Sequence, residues 1–380
     1  MADTIVPSNL RVKQWDDNYF VEYIRGNKLA KYMGTDENSI VQVKEKLTKS
    51  PGDTIYFELI NRLQGTGKQD NQTLQGFEED LSQRSASITI HLFRHGVVVP
   101  EYEEQATAID LRNAGKAVLM NWSMEQTRDR FIRSLGKKNA VIPFDTFGNS
   151  MNGVTTGITS AFQTANATAL NAWTVANADR VLFGTLIANA VSGVFATALG
   201  TVPNTQKLSA SVVSTLKRIA KTAKPKIRPI RVSGDEEWYV MFVNSLAFRD
   251  LKLDTNIIQS RQYALERGEG NPLFTDGDVI WDGVIVREIP ELAPATWIGL
   301  GNGSINIGEG YLCGAQAIGY ALAQRWNTRT QEMDYQTKRG IAVQQIYDVD
   351  KLQFGTGATD TSNLVDNGVV TWLGASVGDG

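Results

Sequence analysis

The sequence predicts an α+β fold from which one arm reaches outward, and three observations carry that reading. Two alternating segments, Ile55-Phe57-Leu59 and Ile88-Ile90-Leu92, show the period of half-buried strands and are joined by a long glycine-studded connector. A long helical stretch over 101–135 follows at once. The second half of the chain then mixes strands, bounded by turn residues, with helices over 208–224 and 312–326.

Residues 1–50 read as an N-terminal arm. The run DDNYFVEYIRGNKLAKYMG places Phe20, Tyr23 and Ile24 on one helical face, with Asp16 or Asp17 as N-cap and Gly26 or Gly34 as stop. Trp15, Tyr19 and Tyr23 are aromatic anchors that fit either a satellite core or docking onto a neighbouring subunit. Residues 51–100 read as an extended hairpin. Its connector, 61–84, carries Gly65, Gly67 and Gly76, no proline and few large apolar residues. Connectors this long are uncommon in compact domains unless they reach out for a function. Because a two-stranded ribbon alone in water is marginal, another protein surface is expected to cover its apolar residues.

The helix over 101–135 would be about 50 Å long at 1.5 Å per residue. Glu101, Glu103 and Glu104 open it and Arg128, Arg130 and Arg133 close it, as the macrodipole favours, with Gly136 placed as a C′ stop. One stripe carries Tyr102, Ala106, Ile109, Ala117, Met120, Met124, Phe131 and Leu135; another carries Leu111, Ala114, Val118 and Trp122. Two stripes predict a spine covered on two sides, with the methionine-rich stripe as core.

From 139 to 206 the charged residues are Asp145, Asp179 and Arg180 alone. Such a run predicts burial by neighbours, with backbone groups satisfied by sheet or by amide side chains. The uncharged part, 181–206, is apolar enough to raise a membrane span. Its Thr185, Asn189, Ser192 and Thr197, its glycines and the lack of an aromatic belt favour burial against protein instead. An amphipathic helix over 208–224 ends at Pro225 and Pro229. A hairpin around Ser233-Gly234-Asp235 leads to a buried strand over 238–243. Strands are predicted over 279–288 and 341–348, with a small-residue helix over 312–326 between them, and the tail carries a turn at Asn367-Gly368 before a short strand.

With 38 basic and 41 acidic residues, net charge −3, the composition argues against a dedicated nucleic-acid binder. The basic run Lys217, Arg218, Lys221, Lys224, Lys226, Arg228, Arg231 reads as a solvated helix end and linker. Cys313 is the sole cysteine, so no intrachain disulfide forms, and a reducing compartment fits. The N-terminal residues show no basic or apolar signal region.

Tests for chemistry fail one after another. Gly65-Thr66-Gly67-Lys68 resembles a phosphate loop, but Arg62 and Gln69 stand where glycine and Ser/Thr are required. Gly299-Leu300-Gly301-Asn302-Gly303 does not run on into a dinucleotide fingerprint. His91 and His95 with Cys313 are too few for zinc. Asp348 with Asp350, and Asp276 with Asp278, complete no calcium loop. No nucleophile, base and orienter come together, so no catalytic activity, cofactor or metal is expected. The alternatives are a glycine-loop nucleotide-binding enzyme and a membrane-associated protein.

Ordered blocks along nearly the whole chain carry a family resemblance. They include Tyr32-Met-Gly-Thr, Gly52-Asp-Thr-Ile-Tyr-Phe, Leu63-Gln-Gly-Thr-Gly, Leu74-Gln-Gly-Phe-Glu-Glu and Arg94-His-Gly-Val. Asp110-Leu-Arg-Asn-Ala, Pro229-Ile-Arg-Val, Asn271-Pro-Leu-Phe, Asp282-Gly-Val-Ile-Val and Gly314-Ala-Gln-Ala follow in order. The chain thereby resembles tailed-bacteriophage major capsid proteins of the HK-97 type, in the N4-like podovirus branch. It departs from the pattern over 139–206 and at Met333-Asp-Tyr-Gln, where the pattern calls for a glycine after Asp-Tyr.

The resemblance implies an N-terminal arm (1–50), an extended loop or E-loop (51–100), a spine helix, peripheral domain and low-charge insertion (101–206), a mainly axial domain (207–330), and return strands with the C-terminus (331–380). It further implies self-assembly as pentamers and hexamers into an icosahedral shell around double-stranded DNA, bound without sequence specificity. Portal and scaffold or decoration proteins are the other implied partners, assembly takes place in the bacterial cytoplasm, and no membrane is involved. Candidate intersubunit contacts are Trp15, Tyr19, Tyr23, Gly65, Gly67, Lys68, Leu74 and Phe77. Some family members crosslink a loop lysine to an asparagine. Lys68 lies in the connector, but nothing marks a partner asparagine, so the non-crosslinked reading is kept.

Overall fold

The computed structural model describes residues 27–45, 52–60, 63, 65, 67–79, 83–107, 109–144, 157–190, 192–231, 237–262, 278–355 and 363–378. Trp15, Tyr19, Tyr23, the turn at Ser233-Gly234-Asp235 and Asp276 lie outside the described residues.

A 3-10 turn at Lys28–Tyr32 leads to β1 (Met33–Gly34) and β2 (Val41–Lys44). Then come β3 (Thr54–Ile60), β4 (Gln83–Thr89), β5 (His91–Pro100), α1 (Glu101–Ala106) and α2 (Leu111–Leu135). They are followed by α3 (Ser160–Ala165), α4 (Ala167–Ala176), β6 (Val181–Phe183), α5 (Phe195–Gly200) and α6 (Ala210–Thr222). After β7 (Ile230–Arg231) and β8 (Glu237–Val243) lie α7 (Ser245–Lys252) and α8 (Thr255–Gln262). The remainder is strand: β9 (Val279–Trp281), β10 (Val284–Glu288), β11 (Thr296–Trp297), β12 (Ile307–Cys313), β13 (Ile318–Met333), β14 (Lys338–Lys351), β15 (Gln353–Phe354), β16 (Val365–Asp366) and β17 (Val369–Ala375).

Two compact units result, and α2, β13 and β14 contribute residues to both. In the smaller unit, built from His91–Thr127 and Gln324–Ile346, side chains are small where backbones approach. A Cβ on Gly96 would sit 3.1 Å from the Ile341 carbonyl oxygen. His95 packs on Trp122 with ring centroids 4.9 Å apart, and Trp122 meets Trp326 edge-on at 5.8 Å, so this histidine is a packing residue. At the β13–β14 turn, Asp334, Tyr335 and Gln336 all have left-handed backbone, and Gln336, at φ +74°, occupies the place where a glycine was expected.

The single long helix is corrected to two. Asp110 interrupts it: its Oδ1 accepts the Asn113 N–H at 3.0 Å and its carbonyl accepts the Ala114 N–H at 3.0 Å, which caps a fresh start at Leu111. The methionine-rich stripe is corrected as well. Its first half is exposed at Tyr102, Met120 and Met124, as is Val118 of the other stripe, and Gly115, Leu119 and Ser123 form the buried line there, while Phe131 and Leu135 of the same stripe are buried as expected. Periodicity locates apolar stripes without telling which of them this chain covers itself.

The larger unit holds a sheet in the order β6-β17-β12-β8-β10-β9, with β11 against β12 and β7 against β8. Strands β8, β12 and β17 are buried on both faces, which explains their unbroken apolar runs. On one face, Val213, Leu216 and Ile219 of α6 and Phe248 and Leu251 of α7 pack with Tyr239, Met241, Leu312 and Trp372. The predicted strand over 279–288 is a hairpin, because Asp282 and Gly283 take φ +48° and +70° in a two-residue turn. The small-residue helix over 312–326 is absent. Cys313 ends β12, Gln316 turns at φ +56° and Ile318 starts β13. Burial on both faces erases the alternation there and leaves an alanine- and leucine-rich run that mimics a helix.

The other face holds a buried charged layer. Glu309, in the middle of β12, accepts from Lys138 Nζ at 2.7 and 2.9 Å, from Trp297 Nε1 at 2.6 Å and from the Tyr311 hydroxyl. Lys351 Nζ donates to buried Asp366 at 2.7 Å, and Gln353 Nε2 donates to the same carboxylate at 2.6 Å. Both lysines approach the Trp173 ring, at 5.3 Å for Lys138 and 5.7 Å for Lys351. Burial lowers the Lys138 pKa against the opposing pull of Glu309, and burial together with the Glu309 charge raises that of Tyr311 well above the usual phenol range.

The low-charge stretch wraps this layer, and its amide side chains satisfy backbone groups as its composition predicts. Asn177 donates to the Trp173 and Leu364 carbonyls, both at 2.9 Å, and accepts the Asp366 N–H at 2.8 Å. Asn139 donates to the Ala169 carbonyl at 3.1 Å. The candidate membrane segment is divided among β6, a 3-10 turn at Ile187–Ala190 and α5, and no helix among the described residues is long and apolar enough to cross a membrane.

Lys138→Met is expected to destabilise the subunit by about 3–5 kcal/mol, the range for removing one partner of a buried ion pair. Adding Glu309→Gln should recover part of that loss, because the amide is neutral, its oxygen still accepts from Trp297, and its nitrogen can donate to the Tyr311 hydroxyl oxygen. Urea denaturation followed by tryptophan fluorescence measures both, and equal stability of the single and double variants would contradict an uncompensated Glu309 charge.

Candidate intersubunit surface

The hairpin arm is built from β3 and β4, paired antiparallel from Thr54 opposite Thr89 to Ile60 opposite Gln83. Alternation puts Ile55, Phe57 and Ile88 on one face, where they pack with Ala321, Leu352 and Phe354. Gly319 permits this contact, since a Cβ there would lie 2.7 Å from Ile88 Cδ1 and 2.9 Å from Phe57 Cζ. Lys44 Nζ lies 4.2 Å from the Phe57 ring centroid and donates to the Tyr56 carbonyl at 2.9 Å. The base of the arm is thus covered by its own chain, which corrects the expectation that all its apolar residues need another protein. The return run is corrected too: β4 ends at Thr89 and the chain enters β5 at His91, so Leu92 is not on the ribbon.

Beyond the base, the connector folds back on itself. The Gly65 N–H donates to Glu79 Oε2 at 2.6 Å, and Lys68 Nζ sits 3.9 Å from the Phe77 ring centroid. The Phe77 N–H donates to the Leu74 carbonyl at 2.9 Å, closing a turn in which Gly76 takes φ +87°. Gly67, at φ +71°, also uses a conformation that glycine adopts freely. Of the candidate contact residues, Gly65, Gly67, Lys68, Leu74 and Phe77 therefore belong to one distal cluster. Leu74 is 58% and Phe77 66% exposed, although both are large and apolar.

Two further exposed apolar residues, Tyr56 and Ile60, lie on the ribbon face opposite Phe57. The same alternation that identified Ile55, Phe57 and Leu59 marks them, because even-numbered positions must point the other way. Elsewhere, carboxylates considered for a cation are held in ion pairs, Asp348 with Arg130 at 3.2 Å, Asp278 with Arg287 at 2.7 Å and Asp350 with Lys137. Among the described residues no group of three or more His, Cys, Asp or Glu could hold a metal ion.

The family model described as phage capsid protein matches residues 3–377. A major capsid protein of Pseudomonas phage KPP25 is 30% identical over 353 residues, spanning 89% of this chain and 88% of that relative. The chain belongs to the phage capsid protein family. Among solved structures, the cyanophage Pam1 capsid asymmetric unit is similar with a TM-score of 0.84 and 31% identity over 100% of both chains. The capsid of Ralstonia phage GP4 is similar with a TM-score of 0.73 and 20% identity, again over 100% of both. The fold is HK97-like, and this major capsid protein of a tailed phage associates with its own copies in the capsid shell of the virion.

The two ends of the arm should respond differently to truncation. Phe57→Ala, in the covered base, is expected to destabilise the subunit by about 3–5 kcal/mol. Phe77→Ala, at the tip, should stay within about 0.5 kcal/mol of the parent chain. Thermal and urea unfolding of dissociated subunits compares them, and equal losses would mean that the tip is as much core as the base.

Proposed function

We propose that the subunit assembles as pentamers and hexamers into an icosahedral shell around double-stranded DNA, and that the hairpin arm clasps a neighbouring copy. One observation carries the second part: Leu74 and Phe77 are exposed at the end of a ribbon whose base is anchored in its own core. An apolar cluster presented on an ordered arm loses less entropy on docking than a loose loop would. Aromatic residues Trp15, Tyr19 and Tyr23 give the N-terminal arm, 1–50, a second set of contacts in the same reading.

In this reading 51–100 is the extended loop, the spine begins the peripheral domain and 331–380 returns to it apart from β17, which lies between β6 and β12 in the axial sheet. The axial domain is built mainly from 207–330. We join 157–206 to it, because β6 pairs with β17 in the same sheet as β8 and β12. Three cations of the basic run are paired locally, Lys217 with Asp282 at 2.9 Å, Lys221 with Glu237 at 3.0 Å and Arg228 with Glu37 at 2.7 Å. Such pairing suits a wall that encloses DNA without reading it. The role is structural and not catalytic, assembly takes place in the host cytoplasm, and portal and scaffold or decoration proteins complete the particle.

The register allows a clean test. Ile60 faces Gln83, so residues 61–82 can be replaced by a two-residue Asn-Gly turn without disturbing the ribbon. The shortened subunit is expected to fold with an unchanged melting temperature and to form no shells by negative-stain microscopy. Shells in normal yield would remove the tip from assembly.

A further inference from the structure

The run Gly299-Leu300-Gly301-Asn302-Gly303, which fails as a dinucleotide fingerprint, connects β11 to β12 and has no part in the proposed assembly. Two of its glycines serve the fold. Gly299 takes φ +66° and its N–H donates to Asn306 Oδ1 at 3.0 Å, while a Cβ on Gly301 would lie 2.5 Å from Ile305 Cγ1. Asn302 and Gly303 are the central residues of a turn that the Ser304 N–H closes on the Gly301 carbonyl at 3.0 Å. Both are exposed, and a Cβ on Gly303 would meet nothing within 4 Å. Among the described residues neither the Asn302 side-chain amide nor the Gly303 N–H has a hydrogen-bond partner. The same dipeptide at Asn367-Gly368 is held in the opposite way. Asn367 Nδ2 donates to the Gln316 carbonyl at 3.3 Å, and the Gly368 carbonyl accepts the Gly314 N–H at 2.8 Å. A Cβ on Gly368 would lie 2.7 Å from Ala317 Cα, so that peptide has no room to turn. A third Asn-Gly, at 152–153, lies outside the described residues.

We infer that Asn302 is a site of spontaneous modification, where the chain converts its own side-chain amide to a carboxylate. An asparagine Cγ and the next backbone nitrogen are one bond short of a five-membered ring. Closing it takes a free amide, an unshielded nitrogen and a peptide able to rotate, and glycine supplies the last two. The Gly303 nitrogen gives up its proton to solvent and bonds to Asn302 Cγ, the Cγ–Nδ2 bond breaks, and Nδ2 leaves as ammonia. Water then opens the cyclic imide at either carbonyl. The products are aspartate, or isoaspartate in which the main chain runs through the former side chain. One water enters and one ammonia leaves, with no oxidant or cofactor. Each event makes the subunit one charge more negative than the −3 of its sequence. That charge appears beside the low-charge stretch, because the Asn302 N–H donates to the Val202 carbonyl at 2.9 Å. Between 157 and 206 the sequence carries only Asp179 and Arg180, paired with each other at 2.9 Å. A particle of many copies therefore gathers charge at this turn as it ages.

Ageing the purified full-length chain tests this. Samples held at neutral and at mildly alkaline pH are digested with trypsin, and liquid chromatography with mass spectrometry reads each asparagine, separating aspartate from isoaspartate by elution. Asn302 is expected to convert at least tenfold faster than Asn367, with isoaspartate in excess over aspartate. Its rate should rise with pH, because attack requires the deprotonated nitrogen. Conversion no faster than at Asn367, aspartate without isoaspartate, or a rate indifferent to pH overturns the inference. Two variants address the mechanism. Asn302→Gln would need a six-membered ring, and Gly303→Ala shields the nitrogen with a methyl group, so each should slow conversion at position 302 at least tenfold. The glutamine variant leaves Gly303 and its φ of +76° untouched, so it decides the outcome even if the alanine variant folds poorly. An unchanged rate in the glutamine variant also overturns the inference. The readout is chemical and needs no shells, so its result stands apart from that of the assembly reading.

Discussion

A carboxylate in the middle of a fully buried strand is the constraint around which the larger unit is arranged. Glu309 has no access to water, so every lone pair it presents must meet a donor from the protein. Lys138, Trp297 and Tyr311 are those donors, and each comes from a different stretch of chain. Bringing them together fixes the residues after α2, the strand β11 and the face of β12 in one arrangement. The second buried pair, Lys351 with Asp366, ties the C-terminal strands to the same layer through Trp173. Apolar residues of equal volume could fill this space with comparable stability; what the carboxylate adds is a requirement for its particular donors, Lys138, Trp297 and Tyr311.

The hairpin arm separates two demands that usually conflict. An intersubunit element has to expose apolar groups, yet exposed apolar groups on a mobile chain invite indiscriminate association. Here Ile55, Phe57 and Ile88 fix the direction of the ribbon within the subunit, and the contacts from Gly65 to Glu79 and from Lys68 to Phe77 shape its end. What remains exposed is small in area and defined in form, which limits what it fits.

Much of this was legible in the sequence, and the failures share a cause. Alternation at Ile55-Phe57-Leu59 identified the ribbon because Thr54 and Glu58, with Ser85, Ser87 and Thr89 across from them, break up its other face, and the Asn367-Gly368 turn was readable from residue chemistry alone. The run over 312–326 was misread because, Gln316 apart, every position from Leu312 to Leu322 is buried, so both faces are apolar there and no strand period shows. The spine was read as one helix because a single capping Asp110 inside a favourable pattern carries little weight against the residues on either side. The residues Tyr102, Met120 and Met124 were read as core for another reason: a hydrophobic stripe does not by itself tell that the subunit covers it. Leu74 and Phe77 could be nominated as candidate contacts from their place in the connector, and both are exposed. Tyr56 and Ile60 were passed over on strands assigned correctly, since attention went to the face that forms a core.

Gly319 gives the arm a property that neither its strands nor its tip would have alone. The absence of one side chain on β13 sets where the ribbon rests, and that point is remote from the residues that shape the distal end. Length and composition of the connector can therefore drift without moving the anchorage. In the proposed clasp, insertions between Ile60 and Gln83 would change the grip of one copy on the next while the subunit beneath keeps its fold.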